Sequence, residues 1–225
     1  MRDVLFGAKN ATNQSLYGGR LLWGVALWFG TVFVLGANGA YVASEGSQPV
    51  VMLLGLLIPL GGFLLAYAAL GGFRQFILGL DIRPLILLHT WRMVGLGFIA
   101  LYYHDVLPAL FVFPAGLGDA AAAAWATILV VALYGAGKSI GKKWLRRWNL
   151  FGFLDLVIAV SLGMTVGGGP AALVPESMAA SAMVQFPLVL IPGFFVPFFL
   201  LTHLIVFFHL RHWWREDAVV RLESA

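Results

Sequence analysis

The chain contains no cysteine among its 225 residues. This absence excludes disulfides, thiolate nucleophiles, iron–sulfur ligation and cysteine-based zinc sites. Charged residues are also scarce, at 11% of the chain, whereas a soluble domain carries about 25%. The sequence has no Walker A motif, Rossmann fingerprint, nucleophile elbow or kinase motif, and no nucleophile–base set. We therefore expect no enzymatic activity.

Long apolar stretches dominate what is present, since 61% of the residues are hydrophobic. Several stretches reach about 20 residues, which is the length needed to cross roughly 30 Å of hydrocarbon. We predict an all-α, polytopic transmembrane helical bundle that forms a single domain over residues 1–225. The six predicted spans are Leu21–Ala43, Val50–Gly71, Pro84–Tyr103, Ala120–Gly137, Asn149–Val166 and Pro187–Phe208. The small residues after the first stretch resemble a cleavage site, but the stretch is long for a signal peptide, so we expect an uncleaved span.

The basic residues follow an alternating pattern along the chain. They lie in both tails and in the second and fourth gaps between spans, whereas the first, third and fifth gaps contain no Lys or Arg. The positive-inside rule then places the N- and C-termini in the cytoplasm. The same rule accounts for the net charge of +4, so the expected partner is the lipid bilayer and not nucleic acid.

The fourth gap holds the basic segment Lys138–Trp148, with the sequence KSIGKKWLRRW. It either lies as an amphipathic turn that attracts anionic lipid, or forms an ordinary cytoplasmic loop, which we favour. Trp144 and Trp148 then belong to an interfacial aromatic belt. We also expect His209 and His212, which follow the last predicted span, to be interfacial.

The third gap, His104–Asp119, is mostly apolar and contains two prolines. We predict a re-entrant or interfacial segment here, because non-helical backbone at membrane depth must be covered by protein or face a water-filled cavity. Asp119 precedes a run of alanines, so we assign it the N-cap of the fourth span. The alternative is that Asp119 belongs to a ligand or ion-pair site together with Arg92, Asp155 and Asn149. In the fifth gap, Gly167–Pro170 ends a helix and Pro175 begins a short one.

Two charges lie inside predicted spans, namely Arg92 and Asp155. A charge near the bilayer centre costs at least a few kcal/mol, so it is usually paired, faces the bundle interior and marks a functional site. Counting residues from the span centres places the two at about the same depth. We predict that they pair, either as a structural ion pair or as part of a ligand, ion or proton site. Gly95 and Gly97 follow Arg92 and would let another helix approach closely.

Two histidines accompany this pair. His89 shares a helix face with Arg92, and His203 falls at the depth of His89. Two histidines at one depth can ligate a haem iron axially, so a b-type haem is a possible cofactor. A zinc site is disfavoured, because Arg92 would repel the dication. Further hydrogen bonds are expected from Asn149, Thr90 and Thr202.

Three stretches carry a resemblance to a known family. They are Arg92–Asp119 with Arg-x-x-Gly and Leu-Pro…Pro-Ala-Gly-x-Gly-Asp, Trp148–Gly163 with Trp-Asn…Gly-x-x-Asp, and Leu188–Leu204 with two prolines and a histidine. Together they resemble a family of small bacterial six-span integral membrane proteins without an assigned activity. The resemblance implies a bacterial inner-membrane location and no reaction.

The sequence leaves three functions open. The first is binding or permeation of a small molecule or ion, in which Arg92 fixes an anion or polar group. The second is an accessory or assembly subunit of a larger membrane complex, or a homo-oligomer, in which Arg92 and Asp155 form a structural ion pair. The third is electron transfer through haem held by His89 and His203.

Overall fold

The computed structural model describes residues 2–42, 50–135, 141–165 and 182–223. These residues form helices and short connections, without a β-strand among them. The α-helices are α1 (Arg2–Ala37), α2 (Val50–Ala69), α3 (Gly71–Leu78), α4 (Ile82–Leu88), α5 (Gly97–Tyr103), α6 (Ala109–Gly135), α7 (Lys142–Thr165) and α8 (Val196–Glu223). A 3₁₀ segment (His89–Leu96) joins α4 to α5, and a π-helical turn (Ile191–Phe195) precedes α8.

Six helices in the described residues are long and apolar enough to cross a membrane. We number them spans 1 to 6: Tyr17–Ala37, Val50–Ala69, Ile82–Tyr103, Ala109–Tyr134, Lys142–Met164 and Ile191–His212. The predicted all-α, six-span architecture is thereby confirmed, and the protein is a multi-pass membrane protein. Span 6 is central, because 56% of the residues in its most apolar 18-residue stretch are buried. In span 2, none of the residues in the corresponding stretch is buried.

Span 4 begins earlier than the sequence suggested. The segment 104–108 is only a tight turn, in which Asp105 has a φ of 56°, and α6 starts at Ala109. The predicted re-entrant segment is therefore wrong, and Asp119 lies inside a helix and is not an N-cap. The physical reason is that a proline within a membrane helix, here Pro114, is tolerated where neighbouring helices cover the freed backbone groups.

Span 5 also begins earlier than predicted, because α7 starts at Lys142 and includes most of the basic segment. Trp148 is fully buried, and its indole Nε1 donates a hydrogen bond to the Ala122 carbonyl at 3.1 Å. It is therefore a core residue and not part of an interfacial belt, whereas Trp144 is 57% exposed. The predictions for Lys138, for Gly167–Pro170 and for Pro175 fall outside the described residues.

The second gap holds the short helix α3, which packs on span 6. Phe76 and Ile77 of α3 are buried against Ile205. The His209 side chain is buried too, and its Nε2 donates to the Ile77 carbonyl at 2.8 Å. The interfacial assignment of His209 is therefore wrong, because α8 continues well past it and α3 covers it, while His212 is exposed.

Candidate functional site

The centre of span 3 is a 3₁₀ helix of eight residues, His89–Leu96. Runs of this kind rarely exceed about four residues, and their three residues per turn place positions i and i+3 directly above one another. His89, Arg92 and Gly95 are accordingly the buried residues of the segment, while Trp91 and Val94 are each 65% exposed. An α-helix would rotate Gly95 by about 120° away from His89. The 3₁₀ geometry is therefore what aligns these three residues toward the bundle interior.

Arg92 lies at the centre of a polar network that joins four spans. Its Nε donates to Asp119 Oδ1 of span 4 at 2.7 Å, and its Nη2 donates to Asp155 Oδ2 of span 5. Its Nη1 donates to the Gly152 carbonyl at 3.1 Å and lies 3.2 Å from His203 Nε2 of span 6. The Arg92 side chain is only 1% exposed. We name the following set the Arg92 cluster: Arg92, Asp119, Asp155, Asn149, His89 and His203.

The two carboxylates share one guanidinium through its neighbouring nitrogens Nε and Nη2. The Asp155 side chain is 9% exposed and that of Asp119 is 19% exposed. Each uses one oxygen for Arg92, and among the described residues no hydrogen bond engages Asp119 Oδ2 or Asp155 Oδ1. With both carboxylates ionised and both histidines neutral, the cluster has a net charge of −1.

Asn149 fixes the orientation of His203 from span 5. His203 Nδ1 lies 2.9 Å from Asn149 Oδ1, and Asn149 Nδ2 donates to the His203 carbonyl at 3.2 Å. Because the arginine can only donate, His203 Nε2 must accept from it, which leaves the proton on Nδ1 for Asn149. This hydrogen-bond pattern assigns a neutral His203.

His89 forms the other edge of the polar layer. Its Nε2 lies 3.0 Å from Thr202 Oγ1, whose hydroxyl donates to the Phe199 carbonyl at 2.8 Å, so Nε2 carries the proton. His89 Nδ1 is fully buried and has no hydrogen-bond partner among the described groups. Thr90 takes no part, because its hydroxyl bonds to the Leu87 carbonyl of its own helix.

The two histidines are not arranged as haem ligands. Axial ligation of one iron needs ring nitrogens that face each other across the porphyrin plane. Here the ring centroids of His89 and His203 are 4.0 Å apart with an interplanar angle of 36°, and both Nε2 atoms are engaged by Arg92 or Thr202. A porphyrin does not fit between rings in direct contact, so this pair does not support the haem hypothesis. The described residues also contain no group of three or more His, Cys, Asp or Glu that could hold a metal ion.

Glycines make room for the charged groups on three helices. A Cβ at Gly95 would lie 2.6 Å from Asp119 Cβ, and one at Gly152 would lie 2.6 Å from His203 Nε2. A Cβ at Gly118 would overlap Asp155 Oδ1. The close approach predicted at Gly95 is therefore present, while a Cβ at Gly97 would meet nothing within 4 Å.

The comparison with known families identifies the family of this chain. A family model described as Domain of unknown function (DUF8737) matches residues 49–211. The chain belongs to this family. The match covers spans 2 to 5, span 6 except its last residue, and every residue of the Arg92 cluster. No curated protein and no solved structure matches the chain.

The structure brings together all six residues that the sequence singled out. The pairing of Arg92 with Asp155 is as predicted, and Asn149 and Thr202 supply hydrogen bonds as expected. Arg92 does not offer a free guanidinium edge to an anion, because protein acceptors surround it. Asp119 was predicted mainly as an N-cap and only alternatively as a member of the ion-pair site, and it does pair with Arg92. The spacing Gly116-Leu-Gly118-Asp119 was the available signal, since two small residues beside a carboxylate allow a close helix contact.

Proposed function

We propose that the protein is a bacterial inner-membrane protein that binds an ion or a small polar molecule, or lets it permeate, at the Arg92 cluster. The observation that carries this proposal is the sharing of one buried arginine by two carboxylates from two other spans. A structural ion pair needs only one carboxylate. The second leaves an excess negative charge in the span interior, where such a charge is costly and is usually retained for function.

The chemistry of the cluster favours a cationic ligand. The guanidinium is surrounded by two carboxylates, a carbonyl and a ring nitrogen, so Arg92 acts as an internal counter-ion. Within the part of the chain that the structure describes, the cluster atoms without a hydrogen bond are one oxygen on each carboxylate and one nitrogen on His89, and all of them can act as acceptors. A group that brings positive charge or a proton complements them.

Irregular helix geometry in spans 3 and 6 fits a permeation role. Span 3 is a 3₁₀ helix where it carries Arg92, and span 6 begins with a π-helical turn that contains Pro192. Long 3₁₀ stretches and π-turns inside helices occur often at functional sites and hinges. In membrane transporters, interrupted helices commonly build the binding site near the bilayer midplane.

The proposed orientation places both termini and the basic gaps in the cytoplasm, because the Lys and Arg residues of the gaps are confined to alternate sides. Counted from the bounds of spans 3 and 5, Arg92 and Asp155 lie near the middle of the bundle, and not in the cytoplasmic half that the predicted spans suggested. The bacterial inner membrane as the location rests on the resemblance of the three sequence stretches described above.

A flux assay in sealed vesicles tests the proposal. The purified protein is reconstituted into phosphatidylethanolamine/phosphatidylglycerol vesicles, and fluxes of H⁺, Na⁺, K⁺ and Cl⁻ are followed with trapped dyes under an imposed membrane potential. We expect a cation flux above that of protein-free vesicles, which Asp155→Asn abolishes. Asp81→Asn is the matched control, because Asp81 is an exposed aspartate whose only described partner is Arg83. A wild-type flux equal to that of empty vesicles for all four ions would contradict permeation.

A second function is favoured by a different observation. Within the described residues, hydrogen bonds between protein groups join span 3 to spans 4, 5 and 6 at the cluster. This arrangement also suits a rigid accessory or assembly subunit of a larger membrane complex. Extraction from native membranes in a mild detergent would then yield the protein in a stable hetero-complex, whereas a purely monomeric preparation would oppose this function.

A further inference from the structure

We propose that the ion held at the Arg92 cluster is a proton, and that the pair Asp119 and Asp155 stores it beside Arg92. This inference rests on the proposed ion-binding function and names its ligand. It predicts that, at neutral pH, the two carboxylates together carry one proton and one negative charge.

The charge count in the cluster is the first step. Span 3 contributes Arg92 and His89, span 4 contributes Asp119, span 5 contributes Asp155, and span 6 contributes His203. The hydrogen-bond pattern assigns His203 as neutral. His89 is counted as neutral because its Nδ1 is buried without a described acceptor for a second N–H, and a buried charge without a partner is costly. One positive charge therefore faces two carboxylates. One bound proton makes the cluster neutral, which removes the cost of at least a few kcal/mol for a net charge at this depth.

The geometry of the carboxylates is the second step. Arg92 holds them through adjacent nitrogens, so their like charges are close together when both are ionised. Each keeps one oxygen without a hydrogen bond from a described group. The Asp119 side chain is 19% exposed, against 1% for Arg92, so the protein encloses the carboxylate edge of the cluster less completely than its cationic centre.

The ligand set favours a proton over a metal cation. The described residues offer no group of three or more metal-ligating side chains, and the guanidinium occupies the position beside both carboxylates where a metal ion would be held. A proton needs only one oxygen and no coordination shell.

His89 provides an independent observation in the same polar layer. Its Nδ1 is fully buried and has no partner among the described groups. Its ring contacts the ring of His203, which holds Arg92 Nη1. The layer thus contains a second acceptor, besides the free carboxylate oxygens, that can take a proton without competing with a protein donor.

Infrared spectroscopy of the protein in lipid nanodiscs tests the proposal directly. A protonated carboxyl group has a C=O stretch above the amide bands, and this stretch shifts on transfer to D₂O. We expect the wild-type protein to show one such band at neutral pH. Labelling with carboxyl-¹³C aspartate should shift the band, which assigns it to aspartate without any substitution.

Two variants locate the proton. Asp119→Asn and Asp155→Asn should each remove the band. In either variant a single carboxylate remains beside Arg92; the positive charge of Arg92 balances it, so it stays ionised without a bound proton. Asp105→Asn, in the turn between spans 3 and 4, should keep it. The absence of a wild-type band at neutral pH, or its failure to shift with labelled aspartate, would overturn the proposal. So would its survival in both cluster variants.

The result is separable from the flux assay. A labelled aspartate band without any flux supports proton storage and opposes permeation. A flux of Na⁺ or K⁺ without the band supports permeation and overturns the proton as the ligand.

Discussion

The carboxylate of Asp155 occupies the space that a side chain at Gly118 would fill. Gly118 immediately precedes Asp119 in α6, so the helix that supplies one carboxylate also makes room for the other. The two acidic residues can share Arg92 only because spans 4 and 5 approach this closely.

Substitution of Gly118 by alanine should therefore destabilise the protein. The added methyl group would overlap Asp155 Oδ1, and overpacking of a well-packed site typically costs about 1–3 kcal/mol. Thermal unfolding in detergent, followed by tryptophan fluorescence, should show a lower midpoint for Gly118→Ala than for the wild type.

Gly97→Ala is the matched control for this substitution. A Cβ there meets nothing within 4 Å, and alanine is favoured over glycine in a helix by roughly 0.5–1 kcal/mol. Its unfolding midpoint should equal or exceed that of the wild type. Equal midpoints for the two variants would show that the tight approach at Gly118 is not required.

Arg92→Leu should be more damaging than loss of either carboxylate. It leaves two aspartates in the span interior without a counter-ion, and removing one partner of a buried ion pair costs about 3–5 kcal/mol. Asp155→Leu should cost less, since Arg92 keeps Asp119 as its partner.

The combined variant Arg92→Leu/Asp119→Leu/Asp155→Leu separates charge from packing. It should recover much of the stability lost in Arg92→Leu, because no unpaired charge remains. Unfolding midpoints and monodispersity in size-exclusion chromatography measure this. A triple variant no more stable than Arg92→Leu would contradict the role of the two carboxylates as partners of Arg92.

Asn149→Leu should destabilise the protein by about 1–3 kcal/mol, the usual penalty for a buried polar group left without its partner. The substitution removes the acceptor for His203 Nδ1 and the donor to the His203 carbonyl. Thr90→Val serves as the comparison, because the Thr90 hydroxyl bonds only within its own helix. Thermal unfolding of both variants should show a marked loss for Asn149→Leu and a small one for Thr90→Val.

The proposed orientation can be checked with single cysteines, since the chain has none of its own. His104 and Lys143 are both exposed, in the turn before span 4 and at the start of span 5. A membrane-impermeant maleimide added to intact cells should label His104→Cys and leave Lys143→Cys unlabelled. The reverse pattern would invert the proposed topology.

The apolar stretches were enough to predict the number of spans and the pairing of Arg92 with Asp155. Arg92 and Asp155 were expected at one depth from a rise of about 1.5 Å per residue, and they form an ion pair. Such counting works because a membrane span is nearly straight and its ends are fixed by the hydrocarbon thickness.

The sequence did not reveal which residues of different helices pack against one another. Asp119 follows an apolar stretch with two prolines, a local pattern that also fits a helix start, and only the packing of α6 on the 3₁₀ segment shows that it faces Arg92. Trp148 looked interfacial because it lies among basic residues near a span end, and His209 looked interfacial because it follows the last predicted span. Their burial depends on Ala122 and Ile77, which are distant along the chain.

The 3₁₀ segment of span 3 also changes the length of that span. Eight residues rise about 2.0 Å each in a 3₁₀ helix instead of about 1.5 Å in an α-helix, so the span is longer by roughly 4 Å. Rewinding this stretch into an α-helix would shorten span 3 by the same amount and turn Gly95 away from Asp119. The alignment of Arg92 with its carboxylates is thus linked to the distance between the two membrane surfaces, and a bilayer of different thickness should shift the balance between the two helix forms.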